Sequence, residues 1–435
     1  MSPTVIAVTV FLIVYAFIIT EKLNRAVVAL LGASAVIVLG ILDTEKAFHE
    51  YIDWETIILL IGMMILVGII NKTGIFQYLA VKTAKLSGGN PVRILVMLSA
   101  LTALLSAFLD NVTTVLLIVP VTFSITRMLK VDAIPFLIME AVASNIGGTA
   151  TLIGDPPNII IGSANKHLTF NDFLLNLAPV VIVIMAVVLF LVYLIYRRRM
   201  KVDQAMVNEL MKLDEKAYIT DQKLLTKSLI VLGLTILGFV LHSVIHIEAA
   251  VVAMTGATLL LLISVKDEEV EKVFEYVEWP TIFFFAGLFV LVGSLQEVGV
   301  IKLLASELLR VTGGDVSVAS VLILWVSGIA SAFIDNIPFV ATMIPLIQDM
   351  IAGLGFAIDG PQADALWWSL SLGACLGGNG TIIGASANVV VAGLAAREKQ
   401  GFSFWQFLKM GMPIMLLSLA ISHLYIYLRY LIHFQ

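Results

Sequence analysis

Cysteine is almost missing from this chain. The single Cys375 excludes an internal disulfide and any cysteine-based metal cluster. It sits in a glycine-rich apolar run and reads as a small packing residue. Charge is scarce as well. Charged residues make up 13% of the chain and hydrophobic ones 60%, against about 25% and about 45–50% in soluble domains. With a mean hydropathy of +1.02, there is too little polar surface to coat a water-soluble globule. The chain belongs in a bilayer, where a spanning helix needs about 20 apolar residues. The net charge of −5 carries no basic stripe, which excludes a nucleic-acid partner. No positive start precedes the first apolar run, and no cleavage pattern is clear. The first segment reads as a retained helix, not a signal peptide.

What the chain does have, it has twice. Ser106-Ala-Phe-Leu-Asp110-Asn111-Val-Thr113-Thr-Val115 recurs as Ser331-Ala-Phe-Ile-Asp335-Asn336-Ile-Pro-Phe-Val340. Gly147-Gly148-Thr149-Ala-Thr151 through Gly154-Asp155-Pro156-Pro157-Asn158 recurs as Gly377-Gly378-Asn379-Gly-Thr381 through Gly384-Ala385-Ser386-Ala387-Asn388. Gly62, Gly68 and Gly74 match Gly287, Gly293 and Gly299 at a constant offset, as Trp54 matches Trp279. Chance likeness between apolar helices does not keep Asp, Asn, Trp and Gly in step.

Apolar runs at 5–20, 26–42, 56–70, 94–126, 134–163 and 173–196 are followed by one long polar segment, 197–227. A second series follows at 228–244, 249–265, 281–295, 316–350, 366–395 and 405–428. The domain organisation expected is a first repeat over 1–196, a cytoplasmic linker over 197–227 and a second repeat over 228–435. Lys22, Arg25, Lys72, Lys82, Lys85, Arg93, Arg127, Lys130 and the Arg197–Arg199 cluster mark cytoplasmic loops. They share one side only if 94–126 enters and leaves on the same face. That stretch reads as a re-entrant hairpin of two short legs, each about 16 residues and too short to cross a ~30 Å core. Its partner is 316–350. Five crossings in the first half then invert the second. The fold expected is an all-α polytopic membrane protein of two inverted repeats. Each repeat has a hairpin and a broken helix, giving about ten spanning helices and two hairpins.

The chemistry follows from those irregularities. A hairpin tip at mid-membrane leaves backbone groups that lipid cannot satisfy, so it faces protein, water or an ion. Asp110 and Asp335 add carboxylates there, and Asn111 and Asn336 add amides. A charge at mid-membrane costs about 2.5–3.5 kcal/mol on insertion scales. Such residues line permeation paths or cap the returning leg, and both roles are open here. Gly147-Gly148 and Gly377-Gly378 break helices through glycine's freedom at positive φ or its tolerance of close approach. The alternative is simple small-residue packing. Thr113, Asn145, Thr149, Asn158, Asn379, Thr381 and Asn388 supply neutral oxygens suited to a hard cation. The Na⁺ ligands expected are Asp110, Thr149, Asp335 and Asn379. Asp155 has no acidic twin and is the candidate for coupling charge, with helix capping as the alternative. Glu140 is a weaker candidate of the same kind. No Lys, Arg or His lies within the four motifs.

At these motifs the chain resembles the ion transporter superfamily. The nearest likeness is to the branch holding arsenite permeases (ArsB), NhaD-type Na⁺/H⁺ antiporters and the P protein, with a citrate-transporter-like domain. Asp110-Asn111-Val112-Thr113-Thr114 and Asn145 through Asn158 carry the likeness, which extends from about Ala26 onward. Sodium–dicarboxylate relatives carry Ser-Asn-Thr at the tips, where this chain has Asp-Asn-Val and Asp-Asn-Ile. The resemblance implies a homodimer and elevator movement of the hairpin-bearing domain.

The function expected is secondary active transport of a small inorganic ion linked to Na⁺ or H⁺, in a prokaryotic plasma membrane. No enzymatic activity is expected and no cofactor beyond a bound Na⁺. An ion-coupled organic-anion transporter is the alternative. An intramembrane aspartyl protease fits less well because Leu152 and Ile153 stand where a Gly-x-Gly-Asp motif needs its first glycine. A passive channel is the remaining option.

Overall fold

The computed structural model describes residues 2–20 and 22–434. Every regular element among them is helical. Leaving aside helices of seven residues or fewer, the first half contains α1 (Pro3–Thr20), α2 (Arg25–Val38), α3 (Trp54–Asn71), α4 (Ile75–Leu86), α5 (Pro91–Ser106), α6 (Asn111–Leu129), α7 (Ile134–Gly148), α8 (Pro156–Ala164) and α9 (Ala178–Tyr196). After the linker helix α10 (Gln204–Lys212) the series repeats. It runs α11 (Gln222–Ile245), α12 (Ala249–Ser264), α13 (Trp279–Glu297), α14 (Val300–Thr312), α15 (Val316–Phe333), α16 (Asn336–Leu354), α17 (Pro361–Gly377), α18 (Ser386–Arg397) and α19 (Phe404–Arg429). Nine helices among the described residues are long and apolar enough to cross a membrane. The chain is a multi-pass membrane protein of two inverted repeats.

Three sequence expectations change. Three of the four hairpin legs are longer than about 16 residues: α6 and α16 have 19 and α15 has 18, while α5 has 16. On length, three of the four could span; the turns at Asp110 and Asp335 make them hairpins. Residues 75–86, counted as a basic loop, form the amphipathic helix α4, matched by α14. Gly74 and Gly299 start these helices at φ 76° and 78°, where an L side chain is strained. The linker is shorter than 197–227, because α11 begins at Gln222 with Asp221 accepting from the Lys223 and Leu224 N–H groups.

The repeats interlock reciprocally. A methyl added to Gly62 on α3 would sit 2.8 Å from the Ala253 carbonyl carbon of α12. One added to Gly287 on α13 would sit 2.7 Å from the matching atom of Ala29 on α2. Gly68 faces the Tyr276 ring, and Gly293 faces the Tyr51 ring. Small residues here let backbones touch, which is how helices gain dispersion contact in lipid.

The linker docks back on the first half. Lys85 donates to Glu215 at 2.5 Å and to the Leu213 carbonyl at 2.7 Å. The Lys85 ammonium holds the Glu215 carboxyl below its usual range. A lowered carboxyl contributes above its unfolded pKa and loses that contribution as pH falls through the folded value. Acidification below the ordinary glutamate range is therefore expected to loosen the linker, read as faster proteolysis between 200 and 220. Lys85→Ala should abolish that pH dependence.

Candidate functional site

The hairpin tips are built by caps. Asp110 accepts from the Thr113 N–H at 2.8 Å and so starts α6; Asp335 accepts from the Ile337 N–H at 3.1 Å and starts α16. The tips are strapped to the broken helices in both repeats. Ser106 Oγ donates to the Ser144 carbonyl at 2.7 Å, and Ser331 Oγ to the Ala374 carbonyl at 2.6 Å. Thr151 donates to the Ala107 carbonyl as Thr381 does to that of Ala332.

The breaks between α7 and α8, and between α17 and α18, are closed by one amide each. Asn158 Nδ2 donates to the Thr149 and Thr151 carbonyls at 3.1 and 2.9 Å. Asn388 Nδ2 donates to those of Gly378 and Thr381 at 2.7 and 2.9 Å. The glycines at the breaks do not use positive φ. They are there for close approach. A Cβ on Gly147 would lie 2.1 Å from the Ala103 carbonyl oxygen, and one on Gly377 2.4 Å from that of Gly328.

At the centre a chain of buried amides joins the halves. Asn145 Nδ2 donates to Asn379 Oδ1 and Asn388 Oδ1, both at 3.0 Å. Asn111 Nδ2 donates to Asn145 Oδ1 and Asp155 Oδ1, both at 3.1 Å. Asn336 Nδ2 reaches Asp155 Oδ1 from the other tip at 3.5 Å. Asp155 is fully buried, stands at the N-cap of α8 and makes no side-chain capping bond. Its Oδ2 has no partner, and neither has the Nδ2 of Asn379. Ionised, a carboxylate so placed needs a cation.

What fills the centre is thus the asparagines and Asp155; the tip aspartates line two different cavities. Asp110 and Asp155 line a cavity of about 20 Å³ with Asn111, Asn336, Glu278 and Arg25. Asp335 instead lines an adjoining cavity of about 250 Å³ with Leu23, Arg25, Glu278 and Ser386. The Na⁺ set expected from sequence is not assembled: of Asp110, Thr149, Asp335 and Asn379, only Asp110 lines the small cavity. The Thr149 hydroxyl is donated to the Asn145 carbonyl at 2.7 Å. Thr113 contributes its backbone, and its side chain lies outside that cavity. Gly148 and Gly378 pack against the Gly154 and Gly384 carbonyls and bring no ligand of their own.

Two charged residues enter the site unannounced. Arg25, counted from sequence as a loop charge, donates from Nη1 to Asp335 Oδ2 at 2.9 Å and to Ser386 Oγ at 2.6 Å. Glu278, the residue before α13, lines both cavities. Arg25 opens α2 and Glu278 precedes α13, and their distance in sequence from the tips hid them. Glu140 goes the other way. Its Oε1 accepts from the Thr122 hydroxyl at 2.5 Å, between α7 and α6, outside both cavities. Glu140→Gln keeps that acceptor and is expected to leave transport within about twofold of wild type. Thr122→Val leaves the acceptor orphaned and should cost about 1–3 kcal/mol in a thermal-melt assay.

The comparisons fit this architecture. A family model described as "Citrate transporter" (CitMHS) matches residues 15–373. The chain belongs to the citrate transporter family. It is 44% identical over 432 residues to a 46 kDa membrane protein of Mycobacterium leprae, covering 99% of each. It is 45% identical to an uncharacterized transporter of Mycobacterium tuberculosis, again over 99% of both. The P protein of Homo sapiens is 36% identical across 98% of this chain, which spans 60% of that protein. A crystal structure of the Alcanivorax borkumensis YdaH transporter, titled as revealing an unusual topology, covers 98% of both chains. Its TM-score is 0.58 at 14% identity, a likeness of fold alone. This member of the citrate transporter family is a membrane transporter.

Proposed function

We propose that this citrate-family transporter is a secondary active carrier that exchanges a small inorganic cation, Na⁺ or H⁺, at Asp155. The observation that carries the proposal is the unpartnered Oδ2 of a fully buried carboxylate beside a cavity of about 20 Å³. That space admits one water or one bare ion, since a water needs roughly 10–15 Å³. Asp110 and Glu278 line it too, three carboxyls in all against the one guanidinium of Arg25, so the local charge favours a cation. The hairpins and broken helices would move as one body against a scaffold of α1–α3 and α11–α13. The polar ties that would break include Arg25 to Asp335 and Ser386, Tyr15 to the Pro338 carbonyl at 2.6 Å, and Ser163 to Asp53 at 2.7 Å. The carrier is expected to work as a homodimer, checked by light scattering in detergent.

Purified protein in acid-loaded vesicles tests exchange. A Na⁺ pulse should drive proton efflux with no anion added; efflux that ignores Na⁺ and demands one anion excludes exchange. That second outcome would favour ion-coupled carboxylate transport. Arg25 and Ser386 on the 250 Å³ cavity, and the family's description, support it as the second reading. Unitary currents in a planar bilayer would instead indicate a channel. Relatives named as transporters weigh against an aspartyl protease.

A further inference from the structure

We propose that Arg25 is a tethered cation that, in the conformation seen here, occupies the second of two pseudo-equivalent cation sites, leaving the first, where Asp110 and Asp155 share one cavity, for the transported ion. The inference rests on the exchange function proposed above. Asp110 and Asp335 are twins by repeat and by role, each capping the returning leg of its hairpin. Their surroundings differ. Asp335 Oδ2 is held by Arg25 Nη1 at 2.9 Å and by Ser386 Oγ at 3.0 Å. The guanidinium carbon lies 5.0 Å from the Phe284 ring centroid, within cation–π range. Asp110 makes no ion pair among the described residues.

Three substitutions between the repeats account for the difference. Where α2 opens with Arg25, α12 opens with Ala249. Where α18 opens with Ser386, α8 opens with Pro156, which has no hydroxyl and no N–H. The position matching Phe284 at the repeat offset is Leu59, which has no π face. The guanidinium, its hydroxyl partner and its aromatic neighbour are lost together. One tip aspartate, Asp335, therefore sits in a complete internal cation clamp built from both halves, and Asp110 has none of its three parts. An arginine is the residue for such a post, because it stays charged at any working pH. A guanidinium fixed to the scaffold cannot leave with cargo. It neutralises one tip aspartate and limits how many free cations the site accepts.

The test is equilibrium binding of radioactive Na⁺ to the purified, folded transporter, with monodispersity checked by gel filtration. Arg25→Gln should bind one more Na⁺ per chain than wild type, at Asp335. Arg25→Lys, which keeps the charge, should keep the wild-type number. Asp335→Asn leaves Arg25 positive and unpaired beside the site, and should weaken Na⁺ binding at least tenfold. Arg25→Gln combined with Asp335→Asn should restore both number and affinity. A wild-type protein that binds no Na⁺ overturns the exchange function. Na⁺ binding by wild type, with an unchanged number in Arg25→Gln or unchanged affinity in Asp335→Asn, overturns this inference alone.

Discussion

Asp155→Asn is expected to reduce Na⁺-driven proton flux at least 100-fold while leaving the fold intact. The asparagine has the same shape and keeps an oxygen for Asn111 Nδ2, which now lies 3.1 Å from Asp155 Oδ1. What disappears is the charge next to a cavity that also carries Asp110. Removing a buried carboxylate with an orphaned oxygen relieves a desolvation cost. The melting temperature without Na⁺ should therefore hold or rise. In wild type, Na⁺ at 100 times its Kd stabilises by about 2.7 kcal/mol through linkage. That shift should vanish in the variant. Flux near the wild-type rate, or a Na⁺ shift that survives, would remove Asp155 from the coupling step.

Gly147→Ala is expected to be among the most damaging single methyls in the chain. Its Cβ would stand 2.1 Å from the Ala103 carbonyl oxygen and 2.5 Å from the Ala103 Cα. Both are backbone atoms of α5, so no rotamer change relieves the overlap. Helices α5 and α7 must separate, and the straps from Ser106 to Ser144 and from Thr151 to Ala107 lengthen with them. Overpacking costs about 1–3 kcal/mol where side chains can adjust, and more is expected here. The variant should melt far below wild type and lose transport. Gly233→Ala is the control. It sits within α11 with nothing inside 4 Å of the added carbon, so the better helix propensity of alanine should leave stability equal or slightly higher. Equal melting of the two variants would show that the α5–α7 contact is not tight.

The two-fold architecture could be read from residues, because inversion demands an odd number of crossings and the repeated Asp-Asn and Gly-Gly strings mark where the crossings fail. The amides were legible for the same reason: Asn111, Asn145, Asn158 and Asn388 stand out against apolar runs. The partnering was not. Sequence placed a carboxylate at each hairpin tip and put Asp110 and Asp335 in one Na⁺ set, whereas the two line different cavities and Asn111 and Asn336 converge on Asp155. A side chain's direction at a cap depends on the backbone one residue away, which periodicity does not encode. Arg25 was hidden because a basic residue after the first span satisfies the positive-inside rule equally well. The helices α4 and α14 were hidden because their lysines and arginines read as loop charge, though the apolar stripe is there in Ile75, Phe76, Ala80, Val81 and Ala84.

The glycine-mediated contacts between α3 and α12, and between α13 and α2, mean that neither half owns its scaffold: each supplies one wall of the other's. Synthesis of the amino-terminal half alone leaves α3 without its mate until the ribosome has delivered α12. Completion of the membrane core is therefore a late event, and a chain truncated after the linker should be cleared as an orphan. Two separately encoded halves, made in one cell, should find each other and restore what either lacks, as an ancestral pair of oppositely inserted half-length proteins would have done.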